Sequence, residues 1–359
     1  MKNHLVAIIM KKWIYALRLK KIKWSSWEFW PMPVAILPVV LCYLYYSLRS
    51  FNFLFFKKVN PSVPMAGAFG VSKHLMLKNI DSSFLPQMVL VKAGISIKQL
   101  IDQIDQNQIS YPLIIKPNIG ERGFLVQKIV SQSELARKYT TLPCDMIVQS
   151  FIDLREEYTV SFHFFPDVPS SFTITSICKK DFMRVTGDGS HTIRELMANT
   201  ERYLLQIARF EKEDPDMLDM ILKEGEEKIL EAIGNHNRGT KFLDARHLID
   251  NQLLETYKKM CLKLNGIYFG RFDLKANSKE DFIHGNVKIM ELNGVFGEPV
   301  HVYDPDYTCF KAYKDLFAQW KTIFKISQSN KMNYAGTGFI EGIKALAFYK
   351  NYKKQLSST

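Results

Sequence analysis

Two short stretches hold the side chains best suited to chemistry. Residues 268–275 read Tyr-Phe-Gly-Arg-Phe-Asp-Leu-Lys, and period-two alternation puts Arg271 and Asp273 on one face with Phe272 and Leu274 pointing to a core. Residues 288–293 read Lys-Ile-Met-Glu-Leu-Asn, which puts Glu291 and Asn293 on one face and buries Met290 and Leu292. The polar stretch 277–286 between them allows a hairpin. One face of that hairpin would carry two carboxylates, an amide oxygen and a guanidinium. Hard oxygen ligands of this kind suit Mg²⁺ shared with substrate phosphates. The adjacent Arg would neutralise charge on a transferring phosphoryl group. A solvated hairpin face with a salt bridge is the competing reading of these residues alone.

A stretch upstream shifts the balance. In Ile114-Ile-Lys116-Pro-Asn-Ile-Gly120-Glu121-Arg122-Gly123, a Lys ends an apolar run and a glycine-bearing loop follows. Glycines let backbone N–H groups approach a polyphosphate, and the Lys adds a point charge. Alone, such a motif is weak. The stretch Gly234 to Lys241 has the glycine spacing of a P-loop, but Thr240 and Lys241 stand in the wrong order for one.

The elements that must position these residues form a mixed pattern. Helices are expected over 97–106, 133–139, 199–232, 253–264, 308–325 and 337–354. Strands are expected over 111–116, 124–130, 146–151, 157–164, 268–275 and 287–292. Thr192 and Glu195 have the spacing of a helix-capping box.

Composition sets the frame. The chain has 359 residues, 47% apolar and 23% charged, which is enough for a real core and excludes a disordered or disulfide-stapled chain. Of its net charge of +12, most belongs to residues 1–60, where Glu28 is the lone acid. The body is therefore near neutral, which argues against nucleic-acid binding. Five scattered cysteines without a CxxC pair suit reduced thiols and a cytoplasmic body.

Residues 1–60 also hold Trp13, Trp24, Trp27 and Trp30, and the run from Phe29 to Tyr46 is uncharged and just long enough to span a bilayer. Basic clusters with aromatic belts mark a membrane interface. Basic residues on both sides make a single span awkward, and Pro31, Pro33 and Pro38 interrupt the run. The expectation is a membrane anchor on the cytoplasmic face, with span, re-entrant and interfacial topologies open. An ordinary buried helix is the bland alternative.

Together the catalytic-looking residues resemble the ATP-grasp superfamily, particularly its D-alanine:D-alanine ligase branch, from about Gly67 to Asp304. The resemblance implies an α+β fold of two subdomains clasping ATP. It implies that Lys73 and Lys116 contact phosphates, that Gly120, Glu121, Arg122 and Gly123 form the flexible loop, and that Gln149, Ser150, Phe151 and Ile152 form an adenine-contacting hinge with Glu157 on the ribose. Asp273, Glu291 and Asn293 would hold Mg²⁺, or Mn²⁺ in its place, and Arg271 would be catalytic. Residues 185–196 and 234–244 are also similar to cyanophycin synthetase. That similarity makes Arg184, Asn237, Arg238 and Thr240 substrate candidates, with Glu298 and His301 bordering the acceptor pocket. The family's Ser-rich phosphate loop is replaced here by Glu121-Arg122, and residues 1–60 cannot form its usual N-terminal domain.

The resulting expectation has four parts. Residues 1–60 form the anchor, 61–150 and 151–330 the two ATP-grasp subdomains, and 331–359 a basic C-terminal helix. The function expected is ATP-dependent joining of a small-molecule carboxylate to an amine or thiol through an acyl phosphate. An ATP-grasp kinase acting on an alcohol and a non-catalytic ATP-binding regulator are the alternatives, and homo-oligomerisation is left open.

Overall fold

The computed structural model describes residues 2–120, 125–139, 142–231, 234–330 and 339–357. Its strands, in chain order, are β1 (Met88–Val91), β2 (Leu113–Pro117), β3 (Gln127–Ile129), β4 (Met146–Ser150), β5 (Glu156–Phe165), β6 (Val168–Asp181), β7 (Arg184–Thr186), β8 (Glu227–Ile229), β9 (Lys241–Asp244), β10 (Phe269–Ala276) and β11 (Lys288–Asn293). The fold class is mixed α and β. The chain divides into two units. One combines residues up to Val40 with Lys180–Leu243 and Val302–Tyr313, and the other takes the remainder.

The larger unit holds two sheets. The first has the order β1-β4-β2-β3, and β4 pairs antiparallel with both neighbours. Its apolar face covers Leu100 and Ile104 of the helix Ile97–Gln106, together with Leu135, to form one core. That helix begins at a capping box in which Ser96 and Gln99 exchange hydrogen bonds, satisfying two of its free N–H donors. The second sheet runs β11-β10-β5-β6, with β10 antiparallel to β5 and β11. Tyr158, Val160, Phe162, Phe272 and Leu274 line its inner face and pack on Leu253, Tyr257 and Phe282. Asn60, fully buried, joins the chain ahead of the first sheet to β10. Its Nδ2 donates to the Ala66 and Phe269 carbonyls, and its Oδ1 accepts from the Tyr268 and Phe269 amides.

In the smaller unit, Ile22 from the helix Lys2–Ser25 packs into a core with Met183, Ile193, Met197, Leu204 and Phe210. Trp27 packs with Val302 and Ala312, and its indole donates to the Tyr307 carbonyl. Ile22 and Trp27 are thus core members of this unit, while Trp24 between them is exposed. Beside them Glu28, with only 5% of its side chain exposed, accepts two hydrogen bonds from Arg202 and one contact from His236.

Several expectations are corrected. The stretch 199–232 is not one helical region: it breaks into short helices at Glu201–Leu204, Ile207–Glu213 and Pro215–Leu218, then strand β8. Asp214 and Pro215 force the last break, since Asp214 caps the next helix and Pro215 opens it. Strands β1, β6, β7 and β9 lie outside the expected strands. Pro33 and Pro38 do not interrupt the N-terminal apolar run, because a continuous helix spans Met32–Arg49 through Pro38, whereas Pro31 stands before the helix begins. Pro33 sits in its first turn, where no N–H is needed. The connection between β10 and β11 contains a helix, Lys279–His284.

Candidate active site

The polar face of the second sheet gathers the residues singled out above. Directly opposite pairs are Arg271 with Asn293, and Asp273 with Glu291. On the other edge of β10, Arg271 lies opposite Ser161, Asp273 opposite Thr159, and Lys275 opposite Glu157. Residues in register share a face, so Thr159 and Ser161 join this polar surface, with the hydroxyl of each buried and unpartnered. The sequence reading missed both, although their alternation with Tyr158, Val160 and Phe162 carried the signal.

The register shifts just after the Asp273–Glu291 pair, because Leu274 lies opposite Ile289 and Met290 is the extra residue of a bulge. This corrects the expected burial of Met290. Ile289 and Leu292 go into the core while Met290 is only partly buried. The bulge also frees the Met290 carbonyl, which accepts a hydrogen bond of 3.2 Å from Lys116 Nζ.

Lys73 opens the short helix Lys73–Leu77, and its Nζ pairs with Glu291 Oε1. Ser72 caps that helix by accepting from the Leu75 amide. Asn118 ties the two lysines together: its side-chain oxygen accepts from Ser72 Oγ and the His74 amide, and its carbonyl accepts from the Lys73 amide. Asn118 stands two residues after Lys116, so one loop fixes both cations. Burial pushes the Lys116 ammonium down to about 8, with Lys73 adding to the fall and Glu291 opposing it. Asn118 is therefore a third residue missed from the sequence.

Arg271 donates from Nε to Asp273 Oδ1 at 3.0 Å and from Nη1 to the Glu298 carbonyl at 3.0 Å. Burial works against its charge, but Asp273, Glu291 and Glu298 outweigh burial and hold the guanidinium above its ordinary value. Gly294, next to Asn293, lies against the left-handed backbone at Met65, Ala66 and Gly67, and the Val295 amide donates to the Ala66 carbonyl. A Cβ on Gly294 would stand 2.2 Å from that carbonyl oxygen.

At the far end of the first sheet, Gln149 and Ser150 end β4 with buried, unpartnered oxygens. The Phe151 amide donates to the Pro112 carbonyl, and Lys128 Nζ stands 3.7 Å from the Phe151 ring centre. Lys275 Nζ approaches the Ile152 carbonyl at 3.4 Å, beside the buried Glu157. Gly120 follows Asn118 in the same loop, whereas Glu121, Arg122 and Gly123 lie outside the described residues.

His301 belongs to the same unit but is fully engaged. It is buried between Ser176 Oγ (2.7 Å) and Asp315 Oδ2 (2.9 Å), and burial depresses its basicity. The remaining substrate candidates stand in the smaller unit. Arg184 donates to Asp181, Arg238 pairs with Glu231 and Glu213, Asn237 accepts at its carbonyl from Gln206, and Thr240 is buried with its carbonyl taking Arg202.

The donor set fits a hard cation. Two carboxylates face each other across one strand pair, with the Asn293 amide beside them on the same face. Among the described residues no three His, Cys, Asp or Glu side chains cluster as metal ligands.

No family model and no curated protein matches the chain. Among solved structures it is similar to the VanG D-Ala:D-Ser ligase from Enterococcus faecalis, at 12% identity and TM-score 0.40 over 77% of this chain and 64% of that one. It is similar to the D-alanine–D-alanine ligase from Bacillus anthracis, at 12% identity and TM-score 0.37 over 76% of this chain and 71% of that one. It is also similar to a bifunctional glutathione synthetase from Pasteurella multocida, at 14% identity and TM-score 0.36 over 69% of this chain and 36% of that one. The chain thus spans less than two thirds of the first and about a third of the last.

Proposed function

We propose that this chain is an ATP-grasp enzyme that joins a carboxylate to an amine at the expense of ATP. One observation carries the reading: Lys73 and Lys116 reach Glu291 and the Met290 carbonyl, while Arg271 and Asp273 stand opposite Asn293 and Glu291 on the same strand pair. The buried Lys116 and the partly buried Lys73, set against two opposed carboxylates, suit a polyphosphate held with a cation.

Lys73 and Lys116 would hold the phosphates, releasing their present partners to do so. Asp273, Glu291 and Asn293 would hold Mg²⁺, which when bound neutralises phosphate charge and orients the transferring group. Arg271, fixed by Asp273 and the Glu298 carbonyl, keeps its Nη2 for charge developing on the substrate side. Transfer of the γ-phosphoryl group to the substrate carboxylate gives an acyl phosphate and ADP. Attack by the amine then forms the amide and releases phosphate. The β4–β5 connection, from Gln149 to Glu157, supplies the surface on which a nucleobase and ribose would lie.

The first experiment needs no knowledge of the substrates. Melting of the full chain is recorded with Mg²⁺, ATP and both, beside Glu291→Gln. At about a hundred times its dissociation constant, ATP should add roughly 2.7 kcal/mol of stability. A magnesium-dependent shift that Glu291→Gln lacks supports the site, and screening carboxylate–amine pairs for ADP and free phosphate then tests the reaction. ADP formed without free phosphate would point instead to a kinase. A folded wild type that shows no shift removes the ligase reading.

A further inference from the structure

We propose that the outer face of residues 41–53 docks on the surface of an anionic lipid bilayer without spanning it. This goes beyond the ligase reading and does not depend on it. The helix Met32–Arg49 is long and apolar enough to cross a membrane, with mean hydropathy 1.4. Length and composition leave spanning and surface binding equally open. Packing separates them.

From Leu41 onward one face of this helix is committed to protein. Tyr43 meets Trp320 edge-on at 5.2 Å, Tyr46 stacks on Phe324 at 4.9 Å, and Ser47, the residue after Tyr46, is buried. Tyr43 also donates its hydroxyl to the Phe53 carbonyl, folding the following turn back against the same face. Trp320 and Phe324 belong to the helix Cys309–Ser329, where each is followed by an exposed lysine, Lys321 and Lys325. A bilayer surrounding the first helix would have to take this neighbour in as well, with two ammonium groups in hydrocarbon. The pair of helices cannot span together.

The opposite face is bare and apolar. Leu41 (59% exposed), Leu48 (68%) and Phe51 (99%) recur along it, with Leu44 and Tyr45 filling the stripe. Phe51 stands in a left-handed turn at φ 52°, a conformation a bulky side chain seldom adopts, and projects fully into solvent. Arg49 lies at the border of the stripe, its Nη1 donating to the Tyr45 hydroxyl and its guanidinium 5.6 Å from the Phe324 ring centre, and the exposed Lys321 and Lys325 directly follow the two aromatic residues that this helix packs on. An apolar ridge ending in an aromatic wedge and rimmed by cations fits an interface with acyl chains below and anionic headgroups beside it.

The test is flotation of the full chain with phosphatidylcholine vesicles, with and without phosphatidylserine. The expected result is binding that needs phosphatidylserine and weakens with salt. L48S/F51S should lose at least about tenfold in binding, with unchanged melting because both side chains are exposed. K321E/K325E should lose the preference for anionic vesicles. Alkaline carbonate should release the wild type from vesicles. Resistance to carbonate would mean that the segment spans, and vesicle binding unaltered in L48S/F51S would mean that this face does not dock. If L48S/F51S instead alters only the oligomer size, the face covers a second copy of the chain. Each of these three results overturns the proposal.

Discussion

Asp273 and Glu291 face each other across β10 and β11, and the register slips by one residue immediately after them at Met290. That slip does two things at once. It keeps both carboxylates on the polar face, and it turns the Met290 carbonyl toward Lys116. A regular hairpin would place Met290 inward and leave Lys116 without this acceptor. The bulge therefore couples the acidic pair to the cation that ends β2.

Lys116 sets a pH dependence. Its folded value, about 8, lies below the ordinary 10.5 because of burial, so the unfolded chain binds this proton more tightly than the folded one. Stability should therefore be lower below about pH 8 and rise between about 8 and 10.5. The shift corresponds to about 3 kcal/mol. Lys116→Met should remove that rise and be more stable than wild type at pH 7, while losing the response to Mg-ATP. Denaturant titrations of both proteins at pH 7 and 9.5 check it.

Binding of a polyphosphate should restore the proton. At pH 8, where Lys116 is about half protonated, ATP should bind with uptake of a fraction of a proton. Calorimetry in two buffers of different ionisation enthalpy measures this directly. Equal observed heats in the two buffers would argue that the nucleotide does not reach Lys116.

Asn60→Ala should be strongly destabilising. The fully buried amide serves two carbonyls and two N–H groups, and alanine would leave them unpaired. At about 1–3 kcal/mol for each stranded group, a loss of at least about 3 kcal/mol is expected in urea unfolding.

Glu28→Gln tests the smaller unit. Burial opposes the charge of Glu28, but His236 and Arg202 outweigh it and lower its titration point. The contribution is present above about pH 4.5 and is lost as pH falls through the lower folded value. Replacing it leaves Arg202 buried without its charged partner, which should cost about 3–5 kcal/mol at pH 7. The difference from wild type should narrow in acid, and melting between pH 3 and 7 follows it.

Gly294→Ala probes the approach of residues 65–67 to the metal strand. The added Cβ collides with backbone on Ala66 and Gly67, which no rotamer change relieves. The expected outcome is a loss of about 3 kcal/mol or more together with the Mg-ATP response. Gly94→Ala serves as the control, since a Cβ there meets nothing within 4 Å, although its backbone at φ 77° costs something by itself.

The sequence by itself determined the local geometry of this site. Strict alternation in 269–276 separates Arg271 and Asp273 from Phe272 and Leu274, and the capping pairs Ser96–Gln99 and Thr192–Glu195 fix two helix starts. These are legible because they depend on residues within a few positions of one another. Tertiary structure alone decided the bulge at Met290, the bridge that Asn118 builds to the Lys73 helix, the burial of Glu28 against Arg202 and the four hydrogen bonds of Asn60. Each of these satisfies a buried charge or a stranded backbone group with a partner far away in the chain. Periodicity reports which side of an element is apolar, but it says nothing about which distant polar group must come to rest against it.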